Sequence, residues 1–184
     1  MTSMADLQYF LLVIGLDSSG KSTMLENYKE GIAGEKVILP TPGLAMGTLA
    51  LSGRRVVYFD CSGDGRHRYQ WFDYFAEVHA ILFVVDSTDQ NRFPIVKDYL
   101  KEIFKDEILN KRQVPILVAC NKQDSEAAID KSDLETELML SKIANKENTK
   151  YTIINTSGYE NKGLKEGLEW LSKNVSINTM KKAN

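Results

Sequence analysis

Gly15-Leu16-Asp17-Ser18-Ser19-Gly20-Lys21-Ser22-Thr23 is the stretch on which the reading of this chain turns. It fits the spacing G-x-x-x-x-G-K-[ST], in which glycines let the backbone wrap an anion with its N–H groups. In such a loop Asp17, Ser18, Ser19 and Gly20 supply enclosing main chain and Lys21 reaches the outer phosphates. The Ser22 hydroxyl, with Thr23 beside it, holds Mg²⁺. The flanks agree. Residues 7–14 are an apolar, β-rich run and residues 22–30 have helix-compatible composition, a strand–loop–helix unit whose helix N-terminus is aimed at the anion. The stretch predicts a loop that binds a nucleotide phosphate.

The 184 residues suit one domain, 1–184 with a polar tail from about 176, large enough to bury a substantial core. Apolar content of 43% and charged content of 26% are ordinary for a soluble globular protein. A formal net charge of −2 without a long basic run gives no electrostatic reason to expect nucleic acid. No apolar stretch approaches bilayer-spanning length and no signal peptide precedes the first strand, so a cytoplasmic protein is expected. Cys61 and Cys120 match no metal-ligand spacing and read as reduced core residues.

Residues 31–43 carry three glycines, two prolines and no periodicity, which predicts a loop. Residues 44–51 and 54–60 read as two strands joined by a hairpin at Ser52-Gly53. Trp71, Tyr74, Phe75 and Val78 repeat at helical spacing, the stripe of an amphipathic helix. Buried strands follow at 80–85 and 114–120, separated by one long helix over 91–109. Ser132 and Glu135 form a capping box that opens another helix. A short strand at 151–154 and a last helix through Leu164, Leu168, Leu171 and Val175 complete the chain. This alternation predicts an α/β fold with a six-stranded, mostly parallel sheet, one antiparallel edge strand and about five helices.

Four further stretches fall at strand ends or in adjacent loops, where ligands bind in this architecture. Asp60-Cys61-Ser62-Gly63 closes the third strand; its Asp can hold Mg²⁺ through water and the Gly63 N–H can meet a γ-phosphate. Thr41 offers a second hydroxyl to the metal. Asn121, Lys122 and Asp124 can read a purine, because a carboxylate accepting two N–H bonds selects guanine over adenine. Thr156 and Ser157 can bring a backbone N–H to the base carbonyl.

In this order the motifs resemble those of a small GTPase of the Ras superfamily, of the Arf/Arf-like family, over essentially the whole length. The resemblance rests on Gly15-Leu16-Asp17, on Leu39-Pro40-Thr41-Pro42-Gly43-Leu44 and on Asn121-Lys122-Gln123-Asp124. Gly163-Leu164 and Gly167-Leu168-Glu169-Trp170-Leu171 extend it. It implies GTP/GDP and Mg²⁺ as cofactors, with Lys21, Ser22, Thr23, Thr41, Gly63, Asn121, Lys122, Asp124 and Ser157 around the nucleotide. It also implies two switch segments ordered by the γ-phosphate and Mg²⁺, slow hydrolysis by water, and residues 44–60 shifting between nucleotide states. Ile38-Leu39-Pro40-Thr41 and residues 59–68 are most similar to the ciliary branch of the family, which recruits the Bardet–Biedl coat complex. Partners implied are effectors on both switches in the GTP state, an exchange factor and an activating protein; the chain itself is expected as a monomer.

Three departures stand out. The family's water-orienting glutamine is replaced by Asp64, one methylene shorter and, when ionised, only an acceptor. With Gly63 and Lys21 it makes the expected catalytic group, and it predicts slower hydrolysis unless it points away from the site. Pro42 restricts Thr41 to extended conformations, which suits Mg²⁺ coordination or biases the first switch without GTP. Position two is Thr2, so the N-myristoylation pattern is absent and no membrane-gripping helix fits before the first strand. Either membranes are not bound that way or the natural terminus has been trimmed. Tyr69 and Phe72 lie off the apolar stripe beside three basic residues and, with Leu44, are candidate effector contacts; packing of Tyr69 and Phe72 on a neighbouring helix is the alternative. His67 and His79 show no catalytic arrangement and read as surface or helix-end residues.

Overall fold

The computed structural model describes residues 7–31, 33, 41–176 and 181–182. The expectations for the N-terminal residues before Leu7, and for Ile38, Leu39 and Pro40, lie outside them. β1 (Leu7–Ile14), β2 (Leu44–Leu51), β3 (Arg54–Cys61), β4 (Ala80–Asp86), β5 (Ile116–Asn121) and β6 (Tyr151–Asn155) form the main sheet in the order β2-β3-β1-β4-β5-β6. Every neighbouring pair is parallel except β2–β3, the expected antiparallel edge. Their hairpin turns at Ser52 (φ 50°) and Gly53 (φ 74°), two left-handed residues in succession, as a tight hairpin requires. One addition was hidden in the polar tail: β7 (Lys181–Lys182) pairs antiparallel with the start of β1.

β1 shows why the central strands read as unbroken apolar runs. Tyr9, Leu11 and Val13 face α1 (Lys21–Glu30) and α6 (Leu164–Asn174), whereas Leu12 and Ile14 face the helices on the other side. With both faces covered, alternation has no solvent side to mark.

The helices differ from expectation in three places. The predicted helix over 91–109 is broken at Asp106, whose extended backbone and side chain cap α3 (Glu107–Arg112) by accepting the Leu109 N–H at 2.9 Å; α2 (Phe93–Lys105) precedes it. The capping box is also misplaced. Asp130 caps α4 (Lys131–Leu138), accepting the Ser132 N–H at 2.8 Å, while Glu135 takes the Tyr151 hydroxyl instead of the helix start. Asn155 at the end of β6 donates to the other oxygen of Asp130 at 2.7 Å, so a tertiary contact outbid the local pattern. Met139, left-handed at φ 56°, then separates α4 from α5 (Leu140–Glu147). Finally, the apolar stripe at Trp71 belongs to a 3₁₀ helix, Arg68–Tyr74, in which Trp71 is fully buried and donates Nε1–H to the Ser62 carbonyl at 2.9 Å. Among the described residues six α-helices and two 3₁₀ turns replace the expected five helices.

Cys61 and Cys120 are buried, and burial pushes both thiols up to about 12, consistent with unreactive core residues. His79 is corrected from the surface to the interior: its Nδ1 accepts the Phe10 N–H at 3.2 Å. Leu168 on α6 is fully buried, so Leu168→Ala is expected to lower unfolding free energy by about 2–5 kcal/mol in urea denaturation.

Candidate nucleotide site

The turn between β1 and α1 holds its shape because nothing larger than glycine fits. At Gly15 a Cβ would collide with the Val84 carbonyl of β4, and at Gly20 with the Asn121 carboxamide. Both glycines have positive φ, 144° and 92°. Gly20 caps α1 without any side-chain acceptor, which leaves the first N–H groups of the helix free to face an anion. A cavity of about 690 Å³ opens over this helix end. Asp17, Ser18, Gly20, Lys21, Ser22 and Thr23 line its floor; Thr41, Gly63, Asp64 and Lys122 line its rim. Ser62 and Gly65, which the motif reading did not single out, line it as well.

Lys21 is almost buried, and its ammonium donates to the Gly15 and Leu16 carbonyls at 3.0 and 2.9 Å. Desolvation pushes its pKa down to about 8, opposed by the nearby Asp60 and Asp17 carboxylates. A polyphosphate would supply the counter-charge that the loop itself lacks.

Three oxygen donors from three separate segments meet beside Lys21. Ser22 Oγ donates to Asp60 Oδ2 at 2.6 Å and lies 3.2 Å from Thr41 Oγ1, which is itself 3.5 Å from Asp60 Oδ2. The second Asp60 oxygen, Oδ1, is buried without a protein partner. Burial pushes the Asp60 carboxyl above its usual range, against hydrogen bonds from Ser22 and Thr41 and the charge of Lys21. Two hydroxyls and one carboxylate with an orphaned oxygen are hard donors suited to Mg²⁺, which tolerates few protein ligands. The residues present therefore fit this metal. Pro42 has not kept Thr41 from the cluster.

Asn121 does not face the cavity. It is buried, donates Nδ2–H to Ser19 O at 2.8 Å, and accepts from Gly158 N at 3.0 Å and Thr156 Oγ1 at 3.2 Å. It ties the phosphate loop to the turn after β6. Ser19 is buried too and offers main chain only. Lys122 pairs with Asp86 at 2.6 Å; burial opposes ionisation of Asp86, but hydrogen bonds from Lys122 and Thr88 outweigh it and hold its pKa low. Asp124 accepts the Ser157 hydroxyl at 2.5 Å, which orients its carboxylate. The expectation that Thr156 or Ser157 offers a backbone N–H is corrected: Thr156 N donates to Cys120 O at 2.9 Å and Ser157 N to Lys162 O at 3.1 Å. The Ser157 contact to Asp124 is made by its hydroxyl.

Asp64 lines the cavity, and both its oxygens accept from Arg66. Oδ1 accepts Arg66 N at 2.9 Å and Nε at 3.1 Å, and Oδ2 accepts Arg66 Nη2 at 2.7 Å. The Arg66 hydrogen bonds hold the Asp64 carboxyl far below its ordinary range. Asp17 is ion-paired with Arg68 at 2.9 Å and with Arg92 at 3.2 Å. The sequence reading assigned none of these arginines to an acid; a basic residue two places after an acid in a glycine-rich turn was the one available signal, for Asp64 and Arg66.

Because the folded state penalises the Lys21 cation, nucleotide-free protein gives up that proton near pH 8, whereas the unfolded chain keeps it to about 10.5. The unfolded state thus binds more protons across this window, and stability gains a term that rises with pH. Denaturation of nucleotide-free wild type and Lys21→Met at pH 7.5 and 10 should show the wild type gaining relative to the variant.

The comparisons bear on the whole chain. The sequence profile described as the ADP-ribosylation factor family matches residues 2–175. ADP-ribosylation factor-related protein 1 of Rattus norvegicus is 34% identical over 181 residues, covering 93% of this chain and 87% of that protein. ADP-ribosylation factor-like protein 6 of Danio rerio is 32% identical over 165 residues, covering 90% and 87%. The structure is similar to that of the Arl6 BBS3 small GTPase from Trypanosoma brucei with bound nucleotide analogue GppNp, at a TM-score of 0.81, 27% identity and coverage of 90% of this chain and 96% of that one. The chain belongs to the ADP-ribosylation factor family, the Arf and Arf-like branch of the Ras-superfamily small GTPases.

Proposed function

We propose that this protein is a guanine-nucleotide switch, a single small-GTPase domain over residues 1–184 that binds GTP or GDP with Mg²⁺ and recruits effectors in its GTP state. The observation that carries the reading is the meeting of Ser22, Thr41 and Asp60 at the mouth of the phosphate loop, three hard donors from three segments. Gly15 to Thr23 and Lys21 hold the phosphates, and Asp124, oriented by Ser157, reads the base by accepting two guanine N–H bonds. Ser22, Thr41 and, through water, Asp60 would hold the metal, whose charge would offset that of the phosphates.

The chemistry of this reading is attack of water on the γ-phosphate with GDP as leaving group, assisted by position and charge and without a covalent enzyme intermediate. Lys21 holds a proton at Nζ and stabilises charge on the outer phosphates. The Gly63 N–H donates to the γ-phosphate. Asp64 Oδ2 accepts one bond from Arg66 and keeps a lone pair that a water could use, but the carboxylate has no hydrogen bond to donate. Hydrolysis is therefore slow, yet Arg66 offsets the negative charge that Asp64 brings to the phosphate. The same pairing favours a second reading: a GTP-binding scaffold with little or no hydrolysis, its off-signal supplied from elsewhere.

Leu44, Met46 and Tyr69 are exposed, and Phe72 is half-buried against Phe75. Tyr69 and Leu44 are thus the better effector contacts on this reading, and Phe72 serves mainly as their support. The similarity to Arl6-type proteins favours a ciliary coat complex as effector and recruitment from the cytoplasm to membranes at the base of the cilium. Among the described residues no helix is long and apolar enough to cross a membrane.

In single-turnover assays of Mg²⁺-loaded protein, Asp64→Gln is expected to hydrolyse GTP roughly ten- to a hundredfold faster than wild type. Equal rates would remove Asp64 from the water's surroundings, and GTP retained by the wild type alone would support the scaffold reading. Pulldown with GTP-loaded Tyr69→Ala should lose the effector that wild type captures; undiminished recovery would take Tyr69 off that surface.

A further inference from the structure

Two carboxylates, Asp17 and Asp64, stand on the wall of a cavity meant for an anion, and arginines of the same chain neutralise both. The two arrangements differ in kind. Arg66 is largely exposed and grips an acid two residues away, a local pair weakened by solvent. The Arg68 side chain is only 11% exposed and joins three parts of the molecule. Its Nε donates to the Gly63 carbonyl at 2.6 Å, its Nη2 donates to Asp17 Oδ1 at 2.9 Å, and its guanidinium sits 5.7 Å from the ring centre of Tyr99 on α2. The Gly63 carbonyl accepts a second bond, from the Asp17 N–H at 3.1 Å, and a Cβ at Gly63 would collide with that same nitrogen. Gly63 is therefore seated directly on the phosphate loop, and Arg68 is the side chain that keeps it there. Arg92 also reaches Asp17, at 3.1 Å to its carbonyl and 3.2 Å to its carboxylate, but its Nε goes to Asp89 and not to Gly63.

We infer that Arg68 is a positioning residue for triphosphate recognition: by holding the Gly63 carbonyl and the Asp17 carboxylate together, it fixes the Gly63 N–H where only a third phosphate reaches it. This rests on reading the cavity as a guanine-nucleotide site. A diphosphate is held by the loop N–H groups beyond Asp17, by Lys21 and by the end of α1, none of which bonds to Gly63. A triphosphate needs Gly63 in place, and a Gly63 segment released by loss of Arg68 must be ordered again on binding. The arginine fork matters because one planar group serves two acceptors; lysine keeps the charge but cannot span both.

The test is nucleotide dissociation from the full-length protein in Mg²⁺, followed with methylanthraniloyl-labelled GppNHp and GDP. Arg68→Gln is expected to speed release of GppNHp by about tenfold while changing GDP release by less than about twofold, the effect of one charge-assisted hydrogen bond. Arg68→Lys is expected to show the same selective loss, and Arg92→Gln, which leaves Gly63 held, less than about threefold change in the ratio. A proportional change for both nucleotides in Arg68→Gln and Arg68→Lys, or an Arg92→Gln effect equal to theirs, would overturn the assignment and leave Arg68 as a structural residue. Wild type that retains neither nucleotide would overturn the guanine-nucleotide reading itself, and the inference with it.

Discussion

The Asn121 carboxamide is the constraint on which the site depends. It is wedged against Gly20, so that no side chain can stand at that position, and its two ends are bound to different loops. The phosphate loop cannot open without breaking the bond to Ser19 O, and the turn after β6 cannot move without freeing Gly158 N and Thr156 Oγ1. A buried amide stripped of these partners would leave unsatisfied polar atoms, each costing about 1–3 kcal/mol. The position of Asn121 at the end of β5, beside β4 and β6, is what brings these loops within reach of one side chain. Geometry fixed by the sheet thus becomes geometry of the site.

Charge is the second organising quantity. The cavity floor is a helix end and a nearly buried ammonium, its wall carries the Asp17 and Asp64 carboxylates, and a third, Asp60, is buried beside Ser22. An anion-binding surface tolerates those acids only when each has a partner. Asp17 and Asp64 are matched by arginines outside the cavity floor, and Asp60 by the hydroxyls of Ser22 and Thr41, with one oxygen left over. That leftover oxygen and the depressed pKa of Lys21 have one cause, desolvation of groups whose partners are absent from the chain itself. On the proposed reading, Mg²⁺ and phosphate are those partners.

The parts of the site legible in the sequence were those where chemistry forces a residue type at a fixed spacing. Gly15, Gly20, Lys21 and Ser22 were readable because only glycine can turn there and only a lysine reaches back over the loop. The six strands of the main sheet and the Ser52-Gly53 hairpin followed from apolar runs and turn residues. What stayed hidden depended on neighbours distant in sequence. Ser132 looked like a helix cap until Asn155 drew Asp130 into that role. Asn121 was expected beside the base, and nothing in the linear pattern says that its carboxamide also engages Ser19 and Gly158. Asp64 looked like a bare charge facing a phosphate, because nothing in a linear pattern says that Arg66 folds back on it. No spacing rule says that Arg68 reaches Gly63 and Asp17 or that Arg92 reaches Asp17, because these partners meet only in the fold.

Guanine selectivity in a Mg²⁺-dependent phosphate site is the central claim, and it tests most directly by competition. Labelled GDP bound to the purified protein in Mg²⁺ would be displaced by unlabelled GDP or by ADP. A site whose Asp124 carboxylate must be matched by two N–H groups should require at least about a thousandfold more ADP than GDP. Displacement by both at similar concentrations would contradict the account, leaving a general phosphate loop without a base reader.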